Sequence, residues 1–295
     1  QESKLVDVFL PLDSLRYCRK NLRKWMKPRR RGTSVWFAPA SNRVLAQPKG
    51  VVGIIAPWNY PLFLVVSPLA SAFAAGNRCM VKMASHSQRL CRLLRDLVIQ
   101  EIPEEQVALL PGVSASAFTS LPFDHLIFTG SPRSGRTVMK TAAENLTPVT
   151  LELGGKSPVI VLPDFPTDKA AERILHMKFV NAGQTCVAPD YLFLPESQVD
   201  AFVGQARSIV GGRYPSLESA DYTSIINEPA LTRLLELMAD ARSKGAELIQ
   251  LIAGAGPNRE LRKIPPMLAL NVSDDMRLMQ EEIFGPILPV LSYEK

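Results

Sequence analysis

Short apolar runs and longer amphipathic stretches alternate along most of the chain. An apolar run over 50–56 precedes a helical stretch over 61–75, and 79–82 precedes 88–101. Further on, 106–110 precedes a short helix and 124–128 precedes 132–145. This βαβ rhythm predicts an α/β protein built on a doubly wound parallel sheet. At Gly154-Gly155 paired glycines interrupt it, and a second series follows: a strand over 158–161, a helix near 168–181, a strand over 191–194 and a helix from Gln198. Three segments are expected: an N-terminal helix and hairpin over 1–48, the doubly wound domain over 49–153, and a second α/β domain over 154–295. The hairpin strands are predicted at 33–38 and 43–47, flanking the turn-like Pro39-Ala40-Ser41-Asn42. Before them, Arg16, Arg19, Lys20, Arg23, Lys24 and Lys27 follow helical spacing opposite Leu15, Leu22, Trp25 and Met26, which predicts an amphipathic helix.

Charge changes this picture little. The net charge of +6 over 295 residues suggests nucleic acid until it is located. Residues 1–31 hold ten Lys or Arg against Glu2, Asp7 and Asp13, giving +7, so 32–295 carry 6 − 7 = −1. The basicity is one helix face and its flank, without aromatic interleaving, so neither a nucleic-acid nor a membrane partner is expected. The longest apolar run, 62–75, is broken by Ser67, Pro68 and Ser71 and falls short of the roughly 18 residues a span needs. The first residues carry no secretory signal pattern. Cys18, Cys79, Cys91 and Cys186 form no CxxC pair or regular spacing, which speaks against a disulfide framework or a metal site. A reducing, cytoplasmic setting is expected.

Several positions could carry chemistry, and each has a plain structural account beside it. Cys186 lies in Gly183-Gln184-Thr185-Cys186, a small and polar setting suited to an accessible thiol; an idle thiol is the alternative. Glu152 stands inside an apolar strand ending in glycines, where burial would raise its pKa towards that of a working base, unless it faces solvent on the polar side. Asn59, bracketed by Pro57 and Pro61, offers a rigidly held amide N–H or is simply a turn residue. Thr129-Gly130-Ser131-Pro132, with Gly135 beyond, runs from a strand into a helix, with Ser131 as N-cap; free N–H groups there suit a phosphate. Lys82 ends a strand, where ligands of open α/β sheets collect, or is a solvated lysine. Glu281-Glu282-Ile283-Phe284-Gly285-Pro286 reads by itself as a surface turn. His86, His125 and His176 have no metal or triad spacing.

Taken in order, PWNYP at 57–61, the strand-ending Lys82, FTGS at 128–131 with Gly135, LELGGK at 151–156, GQTC at 183–186 and EEIFGP at 281–286 resemble the aldehyde dehydrogenase family. The resemblance implies that 49–153 is a Rossmann-like dinucleotide-binding domain and that 154–295 is the catalytic domain. It implies Cys186 as nucleophile, Asn59 with the Cys186 N–H as oxyanion donors, and Glu152 as the base for water. It places Ser131, Trp58, Gly130 and Gly135 at a pyrophosphate, Lys82 and Ser85 at the adenosine ribose, Glu282 at the nicotinamide ribose and Phe284 nearby. The cofactor implied is NAD. The family's usual Lys-Pro-Ser-Glu is here Lys82-Met83-Ala84-Ser85, and losing that carboxylate is expected to admit NADP. The implied substrate is a small-molecule aldehyde, aromatic or cinnamyl such as coniferyl aldehyde, and the full-length form is expected to be a homo-oligomer. Members of the family run longer at both ends, so the chain is expected to be truncated and its catalytic domain incomplete. The alternative function is that of a non-catalytic fragment.

Overall fold

The computed structural model describes residues 2–294. They divide into two compact units, Gln1–Leu153 and Gly154–Lys295. The first begins with a π-helical turn, Lys4–Phe9, running into α1 (Leu10–Trp25). The buried face of α1 carries Pro11 and Cys18. Ser14 Oγ lies 3.4 Å from Ser67 Oγ, and Cys18 Sγ lies 4.0 Å from Ser71 Oγ. Predicted members of that face, Leu15 and Met26, are instead exposed, because packing selects the 11-14-18 stripe of small side chains for close approach. The Asp7 carboxylate accepts the N–H groups of Leu62 and Phe63 at 3.2 and 3.3 Å, serving the start of the next long helix as a remote cap.

The hairpin exists, but its first strand is not where the apolar pattern put it. β1 (Arg29–Arg31) pairs antiparallel with β2 (Asn42–Val44), while Val35–Phe37 forms a 3-10 turn. The Thr33 hydroxyl accepts the Asn42 N–H and Asn42 Nδ2 donates to the Gly32 carbonyl, so the chain turns at Gly32, before the β-branched segment.

Five parallel strands make the sheet of this unit: β3 (Val51–Ala56), β4 (Arg78–Met83), β5 (Val107–Leu109), β6 (His125–Gly130) and β7 (Val149–Leu153). Their order is β5-β4-β3-β6-β7, so the winding reverses between β3 and β6. The helices are α2 (Phe63–Ala74), α3 (Gln88–Val98), the short α4 (Ala115–Thr119) and α5 (Pro132–Ala143). β3 is apolar without alternation because it is covered on both faces. Val52, Ile54 and Ala56 pack with Val65, Val81, Met83 and Cys91, whereas Ile55 packs with Phe118, Phe123, Leu126 and Phe128.

The second unit holds β8 (Pro158–Ile160), α6 (Thr167–Phe179), β9 (Tyr191–Pro195), α7 (Val199–Arg213), α8 (Glu228–Ser243), β10 (Glu247–Gln250), β11 (Met267–Leu270), the single-turn α9 (Arg277–Gln280) and β12 (Ile287–Tyr293). The strand order is β10-β11-β12-β9-β8, parallel except for β10 against β11. Leu192, Leu194, Phe202, Leu231, Leu234, Leu268 and Leu288 form its core. Among the described residues no helix is long and apolar enough to cross a membrane.

Phe118 is fully buried, with its ring 5.0 Å from that of Phe123. Phe118→Ala is expected to lower the unfolding free energy of the first unit by about 3–5 kcal/mol, read from the shift of its urea transition.

Candidate active site

In the first unit, eight of the positions singled out in the sequence gather at the carboxyl ends of β3, β4, β6 and β7. Trp58 and Asn59 follow β3 and are half-buried; Tyr60 behind them is buried. Lys82 is the penultimate residue of β4, half-buried, and burial pulls its amine below the usual lysine range. Ser85 is exposed in the 3-10 turn Ser85–Ser87. Gln88 fixes that turn, donating to the Met83 and Ala84 carbonyls at 3.1 and 3.0 Å and accepting the Gly112 N–H at 2.7 Å. Gly130 ends β6, and the Ser131 hydroxyl caps α5 by accepting the Ser134 N–H at 3.3 Å, with Pro132 in the first turn. Gly135 is buried in that first turn, where a Cβ would come 2.9 Å from Leu153. The start of α5 thus stands at the reversal point of the sheet, between strand ends, where an open α/β sheet binds a phosphate-bearing ligand.

Glu152 occupies β7 opposite Thr129 of β6. Of the two placements its sequence leaves open, buried in the strand or facing solvent, the structure shows the second. β7 is the last strand of the sheet, and Glu152 is exposed.

In the second unit Cys186 follows a break in the backbone. After α6 the chain passes through three consecutive left-handed residues, Asn181 (φ 53°), Ala182 (φ 52°) and Gly183 (φ 73°). For the two that are not glycine this conformation costs about 1–3 kcal/mol each and persists only where surroundings impose it. Two features do so. A Cβ on Gly183 would collide with the carbonyl of Gly285, so the loop rests directly on the backbone of the 281–286 segment. The buried Gln184 donates to the carbonyls of Asn181 and Ser224 at 3.0 and 3.1 Å and accepts the Ile226 N–H at 2.9 Å. Cys186 emerges from this support as a half-buried thiol.

The 281–286 segment is not the surface turn it looks like in isolation. Ile283 and Gly285 are buried, Phe284 takes a left-handed φ of 49°, and Gly285 lies against Leu234. Glu282 is half-buried and accepts the Gly155 N–H; a Cβ on Gly154 would collide with its carboxylate. Burial raises the Glu282 carboxyl above the usual range. Paired glycines in one motif therefore make room for the acid of another, and the structure brings Cys186, Glu282 and Phe284 into one neighbourhood.

Sequence reasoning misses the residues that hold this segment in place. Lys156 donates to the Leu278 and Glu281 carbonyls at 2.7 and 3.2 Å and pairs with Asp190 Oδ2 at 2.5 Å. The other oxygen of Asp190 accepts the Ile283 N–H at 3.0 Å. Arg233 on α8 donates to the Glu282 and Ile283 carbonyls at 3.1 and 2.5 Å. Lys156 could have been found as the polar end of LELGGK; Asp190 and Arg233 stand in no motif, and only the fold brings them here.

The model of the aldehyde dehydrogenase family matches residues 1–295. The chain is 52% identical to a probable coniferyl aldehyde dehydrogenase of Pseudomonas aeruginosa and 44% identical to a coniferyl aldehyde dehydrogenase of a Pseudomonas species, covering 100% and 99% of this chain. It spans 62% of the length of each of these curated relatives. Its fold superposes with a TM-score of 0.87, at 30% identity, on a Mycobacterium tuberculosis aldehyde dehydrogenase complexed with NAD+, covering 100% of this chain and 62% of that one.

Two variants test the supports. Lys156→Ala leaves Asp190 buried without its cation and is expected to cost about 3–5 kcal/mol in equilibrium unfolding. Gly183→Ala forces the loop off Gly285. Its expected signature is a changed rate of Cys186 alkylation, followed by mass spectrometry, and an unchanged rate would show that the loop does not set the thiol.

Proposed function

The chain belongs to the aldehyde dehydrogenase family, and on that premise we propose that the intact protein oxidises an aldehyde to its carboxylic acid through a thioester on Cys186. The observation that carries the reading is the strained loop that presents Cys186, seated on the same segment that holds Glu282. The Cys186 thiolate adds to the carbonyl carbon, and the Asn59 side-chain amide and Cys186 N–H are assigned to the oxyanion that forms. The bound nicotinamide cofactor supplies the hydride acceptor for the oxidation. Glu152 then takes a proton from water, which attacks the thioester and releases the acid and the thiol. An exposed carboxylate on an edge strand suits contact with water.

The residues present fit a dinucleotide. The capped start of α5 at Ser131 suits the pyrophosphate, with Gly130 and Gly135 letting the turn into α5 pack closely on Phe128 and Leu153, and Trp58 flanks the same sheet end. Lys82 and Ser85 stand at the end of the second strand of the winding, where the adenosine ribose binds in this topology. Glu282 is assigned to the nicotinamide ribose and Phe284 to packing beside it. A carboxylate at position 85 would repel a 2′-phosphate; a serine does not, so both NAD and NADP are admitted. For the substrate, the two coniferyl aldehyde dehydrogenases among the relatives support an aromatic or cinnamyl aldehyde.

With coniferyl aldehyde and NAD+, the intact protein is expected to generate reduced cofactor, and Cys186→Ala to generate none. Glu152→Gln is expected to keep the first turnover and to slow the steady state by about 10² to 10⁴; a variant that loses both phases equally would assign Glu152 a different role. Ser85→Glu is expected to lower kcat/KM for NADP relative to NAD, and a wild type that refuses NADP would overturn the cofactor reading.

A further inference from the structure

Glu282 lies in the irregular stretch between α9 and β12, where no helix or strand ladder sets its backbone. Side chains do so instead, and they act on three consecutive peptide groups. The carbonyl of Glu281, in the peptide before Glu282, accepts Lys156 Nζ at 3.2 Å. The peptide after Glu282 is held from both ends: its carbonyl accepts Arg233 Nη1 at 3.1 Å, and its N–H, that of Ile283, donates to Asp190 Oδ1 at 3.0 Å. The carbonyl of Ile283, in the next peptide, accepts Arg233 Nη2 at 2.5 Å. A peptide is planar, so restraining the planes on either side of Glu282 restrains both of its soft dihedrals and with them the direction of its Cα–Cβ bond.

Arg233 is not needed merely to join this stretch to α8. The Arg277 N–H at the start of α9 already donates to Asp240 Oδ2 at 2.8 Å, and the Arg277 side chain reaches Glu236 of α8 at 3.5 Å. Lys156 and Asp190 pair with each other and tie the stretch to the loops before β8 and β9. What Arg233 adds is a two-pronged hold on the carbonyls of Glu282 and Ile283, made by one guanidinium whose N–H groups form a rigid planar fork. Its side chain is 32% exposed, so it does little to fill the core; Ile283, fully buried, does that for this stretch.

The far end of the same side chain is seated separately. The Glu282 carboxylate receives the Gly155 N–H and occupies space that a Cβ on Gly154 would close. Burial disfavours its ionised form, and the charge of Arg233 works against that. Glu282 is thus fixed at its backbone by Arg233 and Asp190 and at its tip by the paired glycines. A carboxylate that must meet sugar hydroxyls at hydrogen-bond distance requires support of this kind, because its own rotamer does not supply it.

We propose that Arg233 is a positioning residue, whose forked hold on the Glu282 and Ile283 carbonyls aims the Glu282 carboxylate at the cofactor's nicotinamide ribose. This rests on the assignment of Glu282 to that ribose. The test is calorimetric binding of NAD+ and of AMP to the intact protein, because AMP lacks the nicotinamide ribose. Arg233→Lys keeps the charge but not the fork, and is expected to weaken NAD+ about tenfold, or ~1.4 kcal/mol, with AMP unchanged. Glu282→Ala is expected to weaken NAD+ in the same way, and Arg233→Lys added to it to cost nothing further. Unchanged NAD+ affinity in Arg233→Lys overturns the proposal. So does an equal loss with and without the Glu282 carboxylate, which would make the effect independent of that side chain. An Arg233→Lys protein whose second unit does not fold, read from its urea transition, overturns it too, since the arginine would then be scaffold. Two results would instead strike the reading beneath it: undiminished NAD+ binding by Glu282→Ala would remove Glu282 from the ribose, and a wild type that fails to bind AMP would remove the dinucleotide.

Discussion

The carboxylate of Asp190 ties two loops of the second unit to one backbone segment. One oxygen takes the ammonium of Lys156 and the other takes the amide of Ile283, so a charge pair from two strand-leading loops is fastened to the backbone just before β12. Lys156 in turn grips the carbonyls at the end of α9. Side-chain exposures of 19% and 5% put the pair largely out of water, where breaking it costs far more than a surface pair does. With that segment fixed, Gly285 offers a firm floor to Gly183, the left-handed run of 181–183 has something to lean on, and Cys186 has a defined exit from the loop.

The fold of the first unit was legible because its strands obey simple rules. β3 is apolar on both faces, β4 and β6 follow it, and each is trailed by a helix of ordinary period, so periodicity alone recovers the winding. Ser131 as N-cap and Pro132 after it were equally plain, since capping is local. The hairpin failed for the opposite reason. Propensity favoured Thr33 to Ala38 as a strand, but the side-chain bonds of Asn42 to Thr33 and Gly32 bring the turn forward and leave Val35, Trp36 and Phe37 exposed.

At the candidate site, the reactive groups were visible as residue types and their supports were not. The sequence around Glu152 left burial and exposure open, because exposure is set by where a strand falls in the sheet, and β7 falls at the edge. The 281–286 turn looked superficial, yet Arg233, about fifty residues earlier, draws it into the core. Lys178 sits in an amphipathic helix at a position that periodicity treats as one more lysine. Its side chain is nonetheless buried within the second unit.

The close approach of motif to motif limits how this protein can change. Gly154 exists in the shape of the Glu282 carboxylate, Gly183 in the shape of the Gly285 carbonyl, and Gly285 in the shape of Leu234. None of these contacts involves a side chain that can be trimmed on the glycine side, so a substitution at one member has no local remedy and calls for a matching change across the contact. The three short motifs that carry them therefore behave as a single heritable block.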